Sequence, residues 1–298
     1  MPGIVIVTYN SADVVEECVK ACRGIASASI VVVDNASQDG TVNIIPRDSN
    51  MRVIANPRNL GFAAAVNQGF EALWDFDAVL VLNPDATPVS GIDTLEAAAM
   101  EPGVGAATGR LLDCNGFDQH GFNVRGLPTA WTLAFEVLAI NRLFPGNPVN
   151  RRYRKHVPES GGDIEQPAGA FLMVRRAAWA HVGGFDESFF PIWFEDVDFC
   201  KRLLDHGYRI RYVPEAAARH LGGHSASSLS WQDRQLFWYG SLLKYASKQL
   251  SATSRRVVAL AVMLACFPRM VAGMLQFGIS ESVSVYSRVI WLAGRRLR

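Results

Sequence analysis

The chain has 298 residues, 49% of them hydrophobic and 19% charged, with a formal net charge of +1. That composition supports a buried core, excludes global disorder and gives no expectation of a nucleic-acid partner. The near-neutral total hides an asymmetry: from Ser251 onward there are seven arginines, no lysine and one acid, Glu281, a balance of +6 that leaves −5 for the rest. A basic, apolar tail on a mildly acidic body points to a membrane surface or an acidic partner. Five scattered cysteines, Cys18, Cys22, Cys114, Cys200 and Cys266, lack metal-ligand spacing and read as buried free thiols in a reducing compartment. The N-terminus runs into a β-like segment with no basic stretch ahead of it, so no secretory leader is expected.

Four β-branched runs come first, at residues 3–8 (GIVIVT), 29–34 (SIVVVD), 51–55 (MRVIA) and 78–82 (AVLVL). Helix-compatible stretches lie between them at 12–22, 40–45 and 62–73. Continuous apolar strands alternating with helices predict a mostly parallel sheet covered on both faces. Such sheets bind ligands beyond the carboxyl ends of their strands, where this chain places Thr8-Tyr9-Asn10, Asp34-Asn35 and Asn83-Pro84-Asp85. Residues 116–162, rich in Gly, Pro and Asn and containing the basic knot Arg151-Arg152-Tyr153-Arg154-Lys155, read as a long loop with one helix near 129–143. Strand character resumes at 166–175 and 208–213, with a helix at 195–206 between them. Residues 230–249 read as an amphipathic helix. The apolar run 257–267 spans eleven residues before Pro268-Arg269 breaks it. That is short of the ~20 residues a bilayer span needs, so an interfacial or re-entrant helix is expected, with burial in a dimer or against the body of the protein as the alternative.

Several residue groups carry chemistry. Asp34-Asn35-Ala36-Ser37-Gln38-Asp39-Gly40 places carboxylate, amide and hydroxyl groups at a strand end before a helix. They suit a base and ribose, or simple helix capping. Asn59-Leu60-Gly61 reads as a tight turn whose glycine lets a ligand approach the backbone. Neither a G-x-G-x-x-G fingerprint nor a G-K-[ST] phosphate loop occurs. Asp85 closes an apolar strand where a hard cation and phosphate oxygens could meet, although a plain turn explains it as well. An aromatic wall (Phe189, Phe190, Trp193, Phe194) leads into Glu195-Asp196-x-Asp198. Helix-dipole stabilisation and desolvation act there in opposition, making one of these carboxylates a plausible general base. Arg219-His220-Leu221-Gly222-Gly223-His224 follows a strand and supplies imidazoles that suit a metal or a phosphate.

Taken in order, Val7-Thr8-Tyr9-Asn10, Val33-Asp34-Asn35-Ala36-Ser37-x-Asp39-Gly40, Asn59-x-Gly61-Phe62 with Asn67, Leu82-Asn83-Pro84-Asp85, Gly184-Phe185-Asp186-Glu187, Phe194-Glu195-Asp196-x-Asp198 and His220 resemble the inverting family 2 glycosyltransferases of GT-A architecture, particularly their bacterial rhamnosyltransferase-like branch. The resemblance covers roughly residues 3–230. It implies a GT-A domain at 1–229, with a nucleotide-binding half at 1–110 and an acceptor half at 111–229; beyond it, the basic and apolar composition of residues 230–298 leads us to expect a helical, membrane-associating region. It also implies that Thr8, Tyr9, Asn10, Asp34, Asn35, Asn59, Gly61 and Asn83 hold the donor. Asp85 and His220 would bind a divalent metal, Mg²⁺ or Mn²⁺. Asp196 would be the base, and Gly169, Trp193 and Glu195 would meet the acceptor. The implied donor is a dTDP- or UDP-linked sugar. The basic tail points to a glycan or a polyprenyl-diphosphate-linked glycan at the inner face of the cell membrane as the acceptor. Two positions depart from the family pattern: Asp34-Asn35 stands where an acidic pair is usual, and Asn83-x-Asp85 where two aspartates are. A sugar nucleotidyltransferase and a non-catalytic sugar-nucleotide-binding scaffold are the rival readings.

Overall fold

The computed structural model describes residues 2–25, 28–47, 49–154, 160–223 and 229–297. They form two compact units. One comprises Met1–Arg125, His156–Pro191 and Glu195–Ser228; the other comprises Gly126–Lys155, Ile192–Phe194 and Leu229–Arg298.

The first unit opens with β1 (Gly3–Thr8), α1 (Val15–Arg23), β2 (Ser29–Asp34), α2 (Thr41–Ile44), β3 (Met51–Ala55), α3 (Phe62–Ala72) and β4 (Ala78–Leu82). It continues through β5 (Ala86–Ser90), α4 (Ile92–Met100), β6 (Val104–Leu112) and β7 (Val124–Arg125). After residues assigned to the second unit come β8 (Gly162–Ile164), β9 (Gln166–Pro167), β10 (Phe171–Arg175), α8 (Arg176–His181), α9 (Glu195–Asp205) and β11 (Arg209–His220). The main sheet has nine strands in the order β3-β2-β1-β4-β10-β6-β11-β5, with β8 paired to β11. Strands β1, β2, β3, β4, β6 and β11 run one way; β5, β8 and β10 oppose them.

Alternation along the strands explains their continuous apolar sequence. Ile4, Ile6, Leu80 and Leu82 pack on one face with α1 and α4, while Val5, Val7, Val79 and Val81 pack on the other with α3 and α9. Both faces are covered, so neither parity of residue can be polar. The β5–α4–β6 stretch has no counterpart among the sequence expectations, and the 166–175 strand is split into β9 and β10 around residues 168–170. Gly91, which starts α4 at φ +72°, sits where an added Cβ would lie 2.5 Å from the Glu215 carbonyl oxygen. Gly91→Ala combines a left-handed backbone with a backbone overlap, so it is expected to cost about 2–5 kcal/mol. Urea unfolding checks this through a lower midpoint at unchanged slope.

The second unit contains α5 (Ala130–Val137), α6 (Ile140–Leu143), α7 (Pro148–Tyr153), α10 (Trp231–Gln249), α11 (Ala252–Phe277) and α12 (Ile279–Gly294). The stretch expected to be a loop with one helix therefore holds three among its described residues, with Thr129 capping α5 and Asn147 capping α7 ahead of Pro148. Pro268 does not end a helix as expected: α11 runs through it for 26 residues. Burial of Val258, Ala261, Val262, Ala265 and Cys266 outweighs one missing backbone hydrogen bond. Among the described residues α11 is long and apolar enough to cross a membrane by length and composition, with a mean hydropathy of 2.0 over its most apolar 18 residues. That corrects the expectation of a run too short to span. Gly278, at φ +100°, turns α11 into α12, and Ser282 donates to the Met270 carbonyl at 2.7 Å beside Gly273, fastening the hairpin. Cys18, Cys22, Cys200 and Cys266 are buried free thiols as expected, but Cys114 is exposed.

Candidate active site

The parallel register puts Thr8 opposite Asp34 and Ile6 opposite Leu82, so the polar strand ends share one edge of the sheet. Phe171 of β10 and His220 of β11 reach the same edge, paired with Leu82 and Ala86. At that edge buried Asp34 accepts from the Thr8 hydroxyl at 2.8 Å, the Ser37 hydroxyl at 2.5 Å and the Ser37 amide at 2.9 Å. The Asn10 amide donates to the Ser37 hydroxyl at 2.8 Å, and Asn10 Oδ1 accepts from the Gln38 amide at 2.8 Å. Asn10 stands at φ +49° to make that turn. Tyr9, between Thr8 and Asn10, is half-buried, and its amide donates to the Ser11 hydroxyl at 3.3 Å.

Asn35 shows why the second acid of the usual pair is an amide here. Its Nδ2 donates to the Gly61 carbonyl at 3.1 Å while its Oδ1 accepts from Asn56 Nδ2 at 3.0 Å. A carboxylate could make only the second of these bonds. Asn59 Oδ1 accepts from the Gly61 amide at 2.8 Å, and Gly61 stands at φ +89°. Asn67 joins two further motifs, bonding both the amide and the carbonyl of Phe185 at 2.9 Å each. Asn83 lies half-buried just past β4, its amide donating to the Ala170 carbonyl at 3.0 Å.

Asp85 and His220 come together from β5's approach and the end of β11. Asp85 Oδ2 accepts from the Gly222 amide at 3.1 Å, whereas its buried Oδ1 has no hydrogen-bond partner among the described residues. His220 Nε2 lies 3.5 Å from that oxygen. Gln119 fixes the imidazole: its Nε2 donates to the His220 carbonyl at 2.7 Å, leaving its Oε1 to face Nδ1 at 2.9 Å. That pairing assigns the proton to Nδ1 and a lone pair to Nε2. Burial lowers the His220 pKa against the opposing charge of Asp85, which favours the neutral ring. Two lone pairs therefore face each other, an arrangement that a cation between them would relieve. An imidazole nitrogen, a carboxylate and diphosphate oxygens form a sufficient donor set for a divalent ion. Among the described residues no third His, Cys, Asp or Glu joins them. His224 lies outside the described residues.

Asp196 stands in the first turn of α9. Its Oδ2 accepts from the Gly169 amide at 3.0 Å and its Oδ1 from the Val197 amide at 2.8 Å. Burial raises its pKa, opposed by those two amides and by Arg125. An added Cβ on Gly169 would lie 3.1 Å from Asp196 Cβ, so the small residue permits the close approach. Glu195 is buried beside it with Oε2 unpartnered among the described residues. Desolvation, reinforced by the Asp196 charge, drives the Glu195 pKa well above the ordinary range. Asp198 is committed elsewhere: it accepts from Arg202 at 2.8 Å, whose other nitrogens bind the Val182 and Gly184 carbonyls. Trp193 and Phe194 both have positive φ, +78° and +71°, and belong to the second unit.

Sequence reasoning missed Gln119, Phe122 and Arg125, all within the stretch expected to be a loop. Phe122 stacks on His220 with centroids 5.2 Å apart, and the Arg125 guanidinium lies 5.5 Å from the Phe122 centroid. A single stack thus runs from the Asp85–His220 pair to the cation that pulls down the Asp196 pKa.

Residues 3–150 match Glycosyl transferase family 2 and residues 149–294 match Glycosyl transferase family group 2. The chain is 32% identical over 239 residues to an N-acetylglucosaminyl-diphospho-decaprenol L-rhamnosyltransferase of Mycobacterium tuberculosis, covering 74% of this chain and 76% of that one. It is 24% identical over 201 residues to an O-antigen chain rhamnosyltransferase of Salmonella anatum, covering 65% and 56%. In fold it is similar to a mannosyltransferase of Pyrobaculum calidifontis solved with GDP-Man and Mn²⁺, with a TM-score of 0.52 at 18% identity over 99% of this chain and 86% of that one. The sheet, its flanking helices and the C-terminal helical region are those of the GT-A architecture. The chain belongs to glycosyl transferase family 2 and is a glycosyltransferase.

Proposed function

We propose that the protein transfers rhamnose from a nucleoside-diphosphate donor to a lipid-linked glycan at the inner face of the cell membrane, with inversion and with Asp196 as base. The observation that carries this reading is a buried Asp196 held by the Gly169 and Val197 amides, with its pKa raised by burial. Each carboxylate oxygen accepts one amide and keeps a lone pair for a proton. The acceptor hydroxyl loses its proton to Asp196 as its oxygen bonds the anomeric carbon. The bond from that carbon to the diphosphate oxygen breaks, and the nucleoside diphosphate leaves with the electron pair. Gly169 and Glu195, adjacent to Asp196, are assigned to the acceptor. Thr8, Tyr9, Asn10, Asp34, Asn35, Asn59, Gly61 and Asn83 are assigned to the donor. Asp85 and His220 would hold a divalent cation, which when bound neutralises charge on the departing diphosphate. The mixed nitrogen and oxygen donor set favours Mn²⁺ over Mg²⁺.

The names of the relatives support rhamnose and a polyprenyl-diphosphate acceptor. A panel of dTDP-, UDP- and GDP-linked sugars, with and without Mn²⁺, tests the donor class. A cognate nucleotide at a hundredfold excess over Kd is expected to stabilise the fold by about 2.7 kcal/mol, and only with the metal present. Absence of any shift from a folded sample would overturn the donor assignment.

A further inference from the structure

We propose that the second unit is one docking module for anionic phospholipid bilayers, built jointly from the insert at 126–155 and the C-terminal helices. The two segments are far apart in sequence, yet α5 packs directly against α11. Their union concentrates charge: the unit holds fifteen Lys and Arg against three Asp and Glu, a balance of +12, leaving −11 for the first unit. The +6 visible in the tail alone is therefore doubled, with +4 from the insert that carries the basic knot and +2 from residues 229–250.

Exposed apolar side chains accompany the charge. Leu143 and Phe144 of the insert are 69% and 66% exposed and directly follow the exposed Arg142. On α11, Leu264, Phe267, Val271 and Leu275 are 59–88% exposed and recur at three- and four-residue spacing along one side. At the ends of the α11–α12 hairpin, Arg256 donates to the Leu297 carbonyl at 3.0 Å and Arg295 lies 4.8 Å from the centroid of the exposed Trp291 ring. Arginines beside apolar and aromatic side chains are the chemistry of a headgroup boundary. The opposite side of α11 is filled by α5 and α12, and Arg269 sits mid-helix. Only one stripe is left for lipid, which fits a helix lying in the interface. The positive balance selects an anionic surface.

This deepens the lipid-linked acceptor reading and rests on it for its purpose, but docking is measured without turnover. The full chain is sedimented with vesicles of phosphatidylcholine alone or mixed with phosphatidylglycerol, at low and high salt. Binding is expected to the anionic vesicles only, and to weaken with salt. Two insert variants, R151Q/R152Q and L143S/F144S, and one tail variant, L264S/F267S, should each bind about 10- to 30-fold more weakly. Their melting temperatures and their transfer rates to a water-soluble acceptor should be unchanged. Wild-type binding by both insert variants would overturn the joint module. Equal binding to neutral vesicles would overturn its charge selectivity. Release by detergent but not by high salt or carbonate would make α11 a span instead. A concentration-dependent dimer that L264S/F267S abolishes, without vesicle binding, would give the stripe to a second copy. Vesicle binding in a protein that transfers no sugar to a polyprenyl-diphosphate-linked acceptor would leave docking standing and remove the lipid-linked acceptor reading.

Discussion

Asp196→Asn is expected to lower kcat by about 10²–10⁴-fold, the usual contribution of a positioned general base, while nucleoside-diphosphate binding and melting temperature stay near those of the parent. The amide keeps one oxygen to accept from Gly169 or Val197, so the first turn of α9 retains most of its bonding. It offers no site for the acceptor proton at neutral pH. Steady-state turnover paired with nucleotide-induced thermal shift separates the outcomes: loss of both means a damaged fold, and near-parent turnover rejects Asp196 as base. The pH dependence gives a second reading of the same residue. Burial raises its pKa more than the two amides and Arg125 lower it, and only the ionised form can act. The acid limb of kcat/KM should therefore fall at a higher pH than the ~3.9 of an ordinary aspartate, and that limb should vanish from the residual activity of the variant.

The parts of the fold legible in the sequence are those where one physical demand dominates. Strands β1, β2 and β4 are buried on both faces, so GIVIVT, SIVVVD and AVLVL announce themselves with the bounds the structure shows, while the partly exposed edge strand β3, MRVIA, is marked by its β-branched Val53 and Ile54. Strand β6, VGAATGRLL, is as buried but built from small residues. An added Cβ at Gly109 would lie 2.2 Å from the Ala216 carbonyl oxygen, so close strand packing removed the β-branched signal that would have revealed it. Pro268 misled in the opposite direction, because local helix-breaking tendency is smaller than the burial α11 gains along its inner side. The site divides similarly. Asp85, Asp196 and His220 stand out as polar residues at the ends of apolar elements. Gln119 and Phe122 do not, because what they do depends on a long-range meeting with His220 across a sequence separation of about a hundred residues.

That meeting gives the second large prediction, Asp85→Asn. The substitution keeps an oxygen to accept from the Gly222 amide but removes the negative charge that faces the His220 lone pair. An amide nitrogen turned toward Nε2 would donate to it, replacing a cation site with an ordinary hydrogen bond. Metal-dependent stabilisation by nucleoside diphosphate should therefore disappear, and kcat/KM should fall by about 10²–10³-fold, in line with the several kcal/mol a polarising ion supplies to a leaving group. Melting temperature without ligand should hold or rise, since the unpartnered Asp85 Oδ1 is a buried cost in the metal-free protein. Calorimetry with Mn²⁺ and nucleoside diphosphate decides the matter independently of turnover. A variant that still binds the pair with parental affinity would remove Asp85 from the metal site and leave His220 as a phosphate contact held in place by Gln119 and Phe122.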